Sequence, residues 1–282
     1  MPIACVVLDF DGTLTDVSAE APPFTAAFPR LLADLLGKDL SGAWAEEERR
    51  VLALAPELAW IIEGRAVGPA DADPYILASC TAQLLFDRLL VLVRDPALRS
   101  EITSTVFRRA YRDTRAAFRP EAERVLRGLL ARDLAVHVVT NADPDVAAAK
   151  LRTLAPDVHP RIQVHGDARK FLVGPPSRAD DRWARVPGER IVPGLARPVL
   201  LHRGRYFDAL AAIWAETGAR PATTLVCGDI FELDLALPAE LGAHVHLVRR
   251  ERTHAYEIDA VRALGDRGGV SEGLKALLDR LG

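Results

Sequence analysis

Two kinds of apolar pattern divide this 282-residue chain. Short continuous runs rich in β-branched residues, each stopping at polar side chains, occur at Val6-Val7-Leu8, at Leu134-Ala135-Val136-His137-Val138-Val139, at Thr224-Leu225-Val226-Cys227 and from Leu241 to Val248. Such runs are the mark of strands buried on both faces, as in parallel sheets. A weaker run covers residues 161 to 167. After the first strand the period lengthens: Phe24, Phe28, Leu31, Leu32, Leu35 and Leu36 recur at three- and four-residue spacing up to Gly37. That spacing predicts a helix, and further helices are expected over residues 43–54, 57–63, 74–93 and 96–118, punctuated by Gly64, Gly68, Pro69 and the Asp95-Pro96 step. Stripes such as Leu84, Leu85, Leu89 and Leu92 read as packing surfaces. Beyond residue 118, helices are expected over 120–131, 143–154, 206–217 and 271–281.

Strands joined by helices imply parallel βαβ units. The fold class expected is therefore α/β: a doubly wound, mostly parallel sheet built from residues 1–16 and 119–282, with an all-helical insert at 17–118. Residues 174 to 198 carry five prolines and three glycines among many charges. They predict an irregular insert, at 171–200, that takes no part in the central sheet.

Composition narrows the function without naming it. A 49% hydrophobic content fills a sizeable core, and 36 basic against 39 acidic residues leave a formal net charge of −3. No global field favours nucleic acid, and no apolar run reaches membrane-spanning length, so neither a nucleic-acid nor a membrane partner is expected. Three cysteines, Cys5, Cys80 and Cys227, lack metal-like spacing, and two fall inside predicted strands, where cysteine acts as a small hydrophobe. With no secretory leader pattern at the start, a reducing cytoplasm is the expected setting. Nothing in the sequence addresses oligomeric state.

The chemistry concentrates where strands end. The first run stops at Asp9-Phe10-Asp11-Gly12-Thr13-Leu14-Thr15. Carboxylates at i and i+2 of an extended segment point the same way, so Asp9 and Asp11 can face one cation and one phosphoryl group. The strand end is also the expected ligand edge of an open α/β sheet. Asp-Gly-Thr is ordinary turn chemistry as well, and the motif alone leaves both readings standing.

Asp9-Phe-Asp-Gly-Thr-Leu-Thr resembles the first motif of the haloacid dehalogenase-like (HAD) phosphohydrolases. The run ending in Thr140-Asn141 resembles the second motif, although these two residues could equally cap the following helix. Gly228-Asp229-Ile-Phe-Glu-Leu-Asp234 resembles the fourth. The resemblance implies a HAD-like Rossmannoid core with a helical cap inserted after the first motif. It implies that Asp9 is the nucleophile, that Asp11 is the general acid/base, and that Thr140 bonds the phosphoryl oxygens, with Gly12, Thr13 and Asn141 beside the substrate. It implies Mg²⁺ as cofactor, held by Asp9, Asp229 and the main-chain oxygen of Asp11, with Asp234 supporting from behind the ligands.

The family's phosphate-neutralising cation has no Lys-Pro signature here. Arg203 and Arg205 have the usual separation from the Asp229 strand, while Lys170 is the choice if residues 171–200 are an insert. The activity so implied is hydrolysis of the phosphate monoester of a small metabolite through an aspartyl-phosphate. Asp11 counts against a dehalogenase or phosphonatase, which lack an acid there. A phosphosugar mutase or other phosphotransferase shares these motifs, and a retired domain that only binds a partner is the alternative from another class.

Overall fold

The computed structural model describes residues 2–91 and 95–281. In chain order the elements are β1 (Cys5–Leu8), α1 (Val17–Glu20), α2 (Pro22–Leu36), α3 (Ser41–Leu54), β2 (Ala59–Ile62), β3 (Arg65–Pro69), α4 (Pro74–Arg88) and α5 (Pro96–Tyr111). There follow α6 (Ala122–Leu130), β4 (Ala135–Val139), α7 (Pro144–Leu154), β5 (Gln163–His165), β6 (Glu189–Arg190), β7 (Val199–Leu200), α8 (Gly204–Thr217) and β8 (Thr224–Gly228). A π-helical turn at Phe231–Leu235 leads into α9 (Ala236–Glu240), then β9 (His244–Val248), α10 (Ala255–Arg262), β10 (Gly268–Ser271) and α11 (Ala276–Arg280).

Two compact units result, one formed by the residues up to Asp16, Ile62–Gly68 and those from Phe118 onward, the other by Val17–Ile61 and Pro69–Ala117. The first holds a six-stranded sheet in the order β10-β9-β8-β1-β4-β5. Every pairing in it is parallel. β1 lies between β4 and β8, with Leu8 level with Val138 and Cys227. The residues that follow these strands therefore share one edge. Both faces of the sheet are covered. Val7, Val226, Phe207, Leu210 and Leu247 pack in one layer, and Val6, Leu8, Leu126, Leu129 and Leu225 in the other, which is why these strands are mostly apolar rather than strictly alternating.

The second unit has its own core, in which Phe24, Phe28 and Leu32 of α2 meet Trp44, Leu85, Phe86 and Val106. Helix α2 closes where the pattern predicts, with Gly37 in the left-handed conformation at φ 62°. Asp73 and Asp95 accept from the amides of Ile76 and Leu98 and so start α4 and α5, each with proline in its first turn.

Three expectations need correction. The helix expected over residues 57–63 is replaced by the strands β2 and β3, separated by Glu63 and Gly64 at φ 50° and 75°. The aromatic and β-branched content of Trp60-Ile61-Ile62 favours extended backbone, and the reversal at Glu63-Gly64 turns the chain back. Residues Ile62–Gly68 accordingly belong to the unit that carries the sheet, inside what reads as one helical insert. The terminal helix expected over 271–281 begins only at Ala276, because Gly268–Ser271 forms the edge strand β10 beside β9. Of the helix expected over 74–93, residues beyond Arg88 do not continue α4, and Leu92 and Val93 lie outside the described residues. No helix among the described residues is long and apolar enough to cross a membrane. The three cysteines are buried and unoxidised.

Candidate active site

The loop after β1 is built to hold one carboxylate still. Asp9 donates its amide to the carbonyl of Cys227 at 2.8 Å, which continues the sheet by one residue and fixes the side chain at the strand end. Its Oδ2 accepts from the Thr13 hydroxyl at 3.0 Å, and its Oδ1 lies 2.6 Å from Nζ of Lys170. Gly12, at φ 88°, turns the chain away, and a Cβ there would collide with the carboxylate of Asp229, so that residue requires glycine on two counts. The Gly12 carbonyl accepts from Nε and Nη2 of Arg119 at 3.0 and 2.8 Å, and its amide donates to the Thr15 hydroxyl.

Asp11 is partly open to solvent, with Oδ1 3.6 Å from Nζ of Lys150 on α7. Sequence reasoning passed over Lys150. The available signal is its place in the 147, 150, 151, 154 stripe, whose members Ala147 and Leu151 are buried.

The loop after β4 meets the loop after β5. Thr140 donates its amide to His165 O at 3.0 Å and takes a hydrogen bond from Ala142 N on its Oγ1 at 3.1 Å. Asn141 Oδ1 accepts from the Lys170 amide at 2.6 Å. Asp167 and Arg169, at φ 50° and 42°, bring Lys170 round in backbone conformations that only a well-supported loop sustains.

Lys170 is buried, 2.6 Å from Asp9 Oδ1 and 2.8 Å from Asp234 Oδ1. Burial works against its ammonium, but Asp234 and Asp9 outweigh burial and hold the pKa above the ordinary lysine range, so the group stays charged. Burial in turn pushes the Asp9 carboxyl up to about 7, with Lys170 opposing and Asp234 and Asp11 adding to the rise. Asp234 comes from the π-helical turn after β8. Its Oδ2 accepts from Ile230 N at 3.0 Å, and its carbonyl accepts from the Tyr206 hydroxyl at 2.8 Å.

Carboxylate oxygens of Asp9, Asp229 and Asp234 all lie within 4.8 Å of one another, and all three residues are buried. Among the described residues the Lys170 ammonium faces this cluster, and the Arg250 guanidinium donates to the Asp229 carbonyl beside it. The surplus of negative oxygen donors in a small volume suits a hard divalent cation. Asp234, expected behind the ligands, lies in the same cluster but has both oxygens engaged, Oδ1 by Lys170 and Oδ2 by the Ile230 amide, and the Asp11 carboxylate is not among the three.

Of the three candidate cations, Lys170 reaches Asp9 and the two arginines do not. Arg203 is fully buried and aims its guanidinium at main-chain carbonyls, with Nε to Leu200 O at 3.1 Å, Nη1 to Lys170 O at 2.6 Å and Nη2 to Val67 O at 2.7 Å. Arg205 is exposed and pairs with Asp167 at 3.0 Å. Neither touches Asp9, so Arg203 is corrected from a catalytic candidate to a support of the loop that carries Lys170. Thr13 and Asn141, expected beside the substrate, spend their side-chain oxygens on Asp9 and on the Lys170 amide.

A family model for haloacid dehalogenase-like hydrolases matches residues 3–179. The fold is similar to that of a predicted phosphoglycolate phosphatase from Haemophilus somnus 129PT, at 15% identity, covering 98% of this chain and 97% of that one with a TM-score of 0.56. It is also similar to the HAD-hydrolase YfnB from Bacillus subtilis bound to magnesium, at 12% identity, covering 100% and 99% with a TM-score of 0.53. No curated protein matches the sequence. With Asp9, Thr140 and Lys170 inside the matched span and the parallel sheet arranged around them, the chain belongs to the haloacid dehalogenase-like hydrolase family.

Proposed function

We propose that this hydrolase cleaves the phosphate monoester of a small metabolite, with Mg²⁺ as cofactor and an aspartyl-phosphate on Asp9. The observation that supports the reading is the pairing of a buried, hydrogen-bonded carboxylate with a partly exposed one two residues on. Asp9 is held by Thr13, Lys170 and its own amide, while Asp11 is partly open to solvent. A nucleophile needs the first environment, and a proton carrier needs the second.

Asp9 and Asp229 would hold the metal, with Asp234 beside them in the cluster, and so would the main-chain oxygen of Asp11 if the family arrangement applies. When bound, Mg²⁺ supplies positive charge against the phosphate oxygens. An oxygen of Asp9 attacks phosphorus, the bond to the leaving oxygen breaks, and Asp11 delivers a proton to that oxygen. Asp11 then takes a proton from water, the water oxygen attacks phosphorus, and the Asp9–phosphorus bond breaks to give inorganic phosphate. Lys170 holds positive charge beside Asp9 throughout, and the Thr140 hydroxyl supplies a proton donor at the neighbouring strand end. Asp11 favours this chemistry over dehalogenation, which has no use for a second acid at that position.

Turnover of a panel of phosphorylated metabolites, read as phosphate release with Mg²⁺ and in excess chelator, tests the proposal. Release from at least one ester that stops in chelator is expected. Absence of release from all of them, or release indifferent to chelator, overturns it.

A further inference from the structure

Arg203 is a charge buried where no carboxylate lies within ion-pair distance among the described residues. Its guanidinium ends on three carbonyls from three separate stretches of chain, Leu200, Lys170 and Val67. Burial lowers its pKa to about 10, with Glu232 and Asp234 countering at longer range, so it remains protonated at neutral pH. Desolvating a guanidinium for main-chain acceptors alone is a poor way to gain stability, and apolar replacements of buried charges are often as stable. What the planar fork provides is direction: donors fixed relative to one another that hold three carbonyls in one geometry.

One of those carbonyls belongs to Lys170. The loop that presents Lys170 contains two non-glycine residues at positive φ, Asp167 and Arg169, so it needs external ties to keep its shape. Asn141 Oδ1 holds the Lys170 amide at 2.6 Å, and Arg203 holds its carbonyl at 2.6 Å, so the peptide units on both sides of Lys170 are clamped. A second arginine reinforces the arrangement from the β3 side. Exposed Arg65 donates to Val173 O at 2.5 Å, while Val67, two residues on, accepts from Arg203. The stretch from Lys170 to Val173 is therefore tied to β3 directly by Arg65 and indirectly by the Arg203 guanidinium, which bridges the carbonyls of Lys170 and Val67.

We infer that Arg203, assisted by Arg65, is a positioning residue that uses β3 to fix the backbone of Lys170, and so fixes its ammonium between Asp9 and Asp234. The inference deepens the phosphatase reading and rests on it for its effect on turnover, but not for its effect on Lys170 itself.

The test compares wild type with Arg203→Lys, which keeps the charge but not the fork, and with Trp214→Phe, which loses the indole bond to Thr224 Oγ1 on the far side of the core. Acylation of Lys170 by acetic anhydride is followed by mass spectrometry and normalised to exposed Lys38 and Lys275. Loosening the clamp should raise the Lys170 rate by at least about fivefold in Arg203→Lys through local opening, and leave it unchanged in Trp214→Phe. With any phosphate ester that the wild type turns over, kcat should fall about 10²-fold in Arg203→Lys with KM within about threefold, since a misplaced catalytic group costs rate rather than binding. Should Arg203→Lys fail to fold, Arg65→Ala on the exposed side should still raise Lys170 acylation about twofold. Acylation of Lys170 unchanged in both arginine variants, or raised equally in Trp214→Phe, overturns the inference. If no ester is turned over but acylation responds as stated, the positioning role stands and the phosphatase reading fails.

Discussion

The ammonium of Lys170 sits 2.6 Å from Asp9 Oδ1 and 2.8 Å from Asp234 Oδ1, so one buried cation serves carboxylates that follow two different strands. Removing it leaves two buried carboxyl groups without their shared cation in a dry site. Lys170→Met should lose about 3–5 kcal/mol of unfolding free energy in metal-free buffer, the usual cost of orphaning a buried ionic partner. Urea unfolding measures this, and a loss under about 1 kcal/mol would show that the carboxylates take up protons or water without penalty.

The two acids of the opening loop should separate cleanly. On the proposed mechanism Asp9→Asn removes the attacking carboxylate, so no phosphoryl-enzyme should form. Asp11→Asn keeps the nucleophile and loses the proton carrier, which is worth about 10²- to 10⁴-fold in turnover. With a nitrophenyl phosphate, whose leaving group needs little protonation, the second step should suffer more than the first. Labelled phosphate should then accumulate on Asp9 in Asp11→Asn and be absent from Asp9→Asn; equal labelling of both variants would show that the nucleophile lies elsewhere.

Crowded carboxylates make a prediction about metal that needs no substrate. Saturating Mg²⁺ should raise the wild-type melting temperature by roughly 5 °C or more at about 100 times the Kd, since ligand binding to the folded state alone adds about 2.7 kcal/mol there. Asp229→Asn should melt no lower than wild type in chelator, because it relieves repulsion with Asp9 and Asp234, and should lose most of the magnesium response. A full response in Asp229→Asn would place the cation at another site.

Acid should destabilise the sheet unit through its histidines. Burial, aided by Arg280, lowers the His246 pKa from 6.5 to about 4, and burial also depresses His137 and His165, whose rings meet at 3.2 Å. The folded state thus favours neutral imidazole and the unfolded state binds the proton more readily. The stabilisation is complete above about pH 6.5 and is lost as pH falls towards 4, amounting to about 3 kcal/mol for His246. Urea midpoints should therefore drop between pH 7 and pH 5, and His246→Gln should flatten that slope even if it lowers the midpoint at pH 7. An unaltered slope would assign the acid sensitivity to other groups.

How much of this was legible depended on how local the cause was. The strands that deliver Asp9, Thr140 and Asp229 announce themselves because burial on both faces leaves them mostly apolar, with His137 and Thr224 as the polar exceptions. Lys170 did not, because β5 before it is only three residues long, and its partners Asp9 and Asp234 lie far away in sequence. Arg203 looked equally suitable by spacing alone; only the direction of its fork, towards carbonyls, separates the two. Strand β10 was hidden by Gly268 and Gly269, whose lack of side chains erases the apolar signal of an edge strand. Strands β2 and β3 were hidden by a helical reading of a short apolar run that periodicity cannot decide.

The parallel order around β1 bears on how this chain is made. Strand β1 is synthesised before both of its neighbours, which begin only at Ala135 and Thr224. Until residue 224 has been synthesised, an apolar strand with one bare hydrogen-bonding edge waits in a nascent chain, and contacts so distant in sequence form slowly. Placing Asp9 at the centre of the sheet thus leaves β1 with an unpaired edge through most of synthesis, which is the window in which such an edge can pair wrongly.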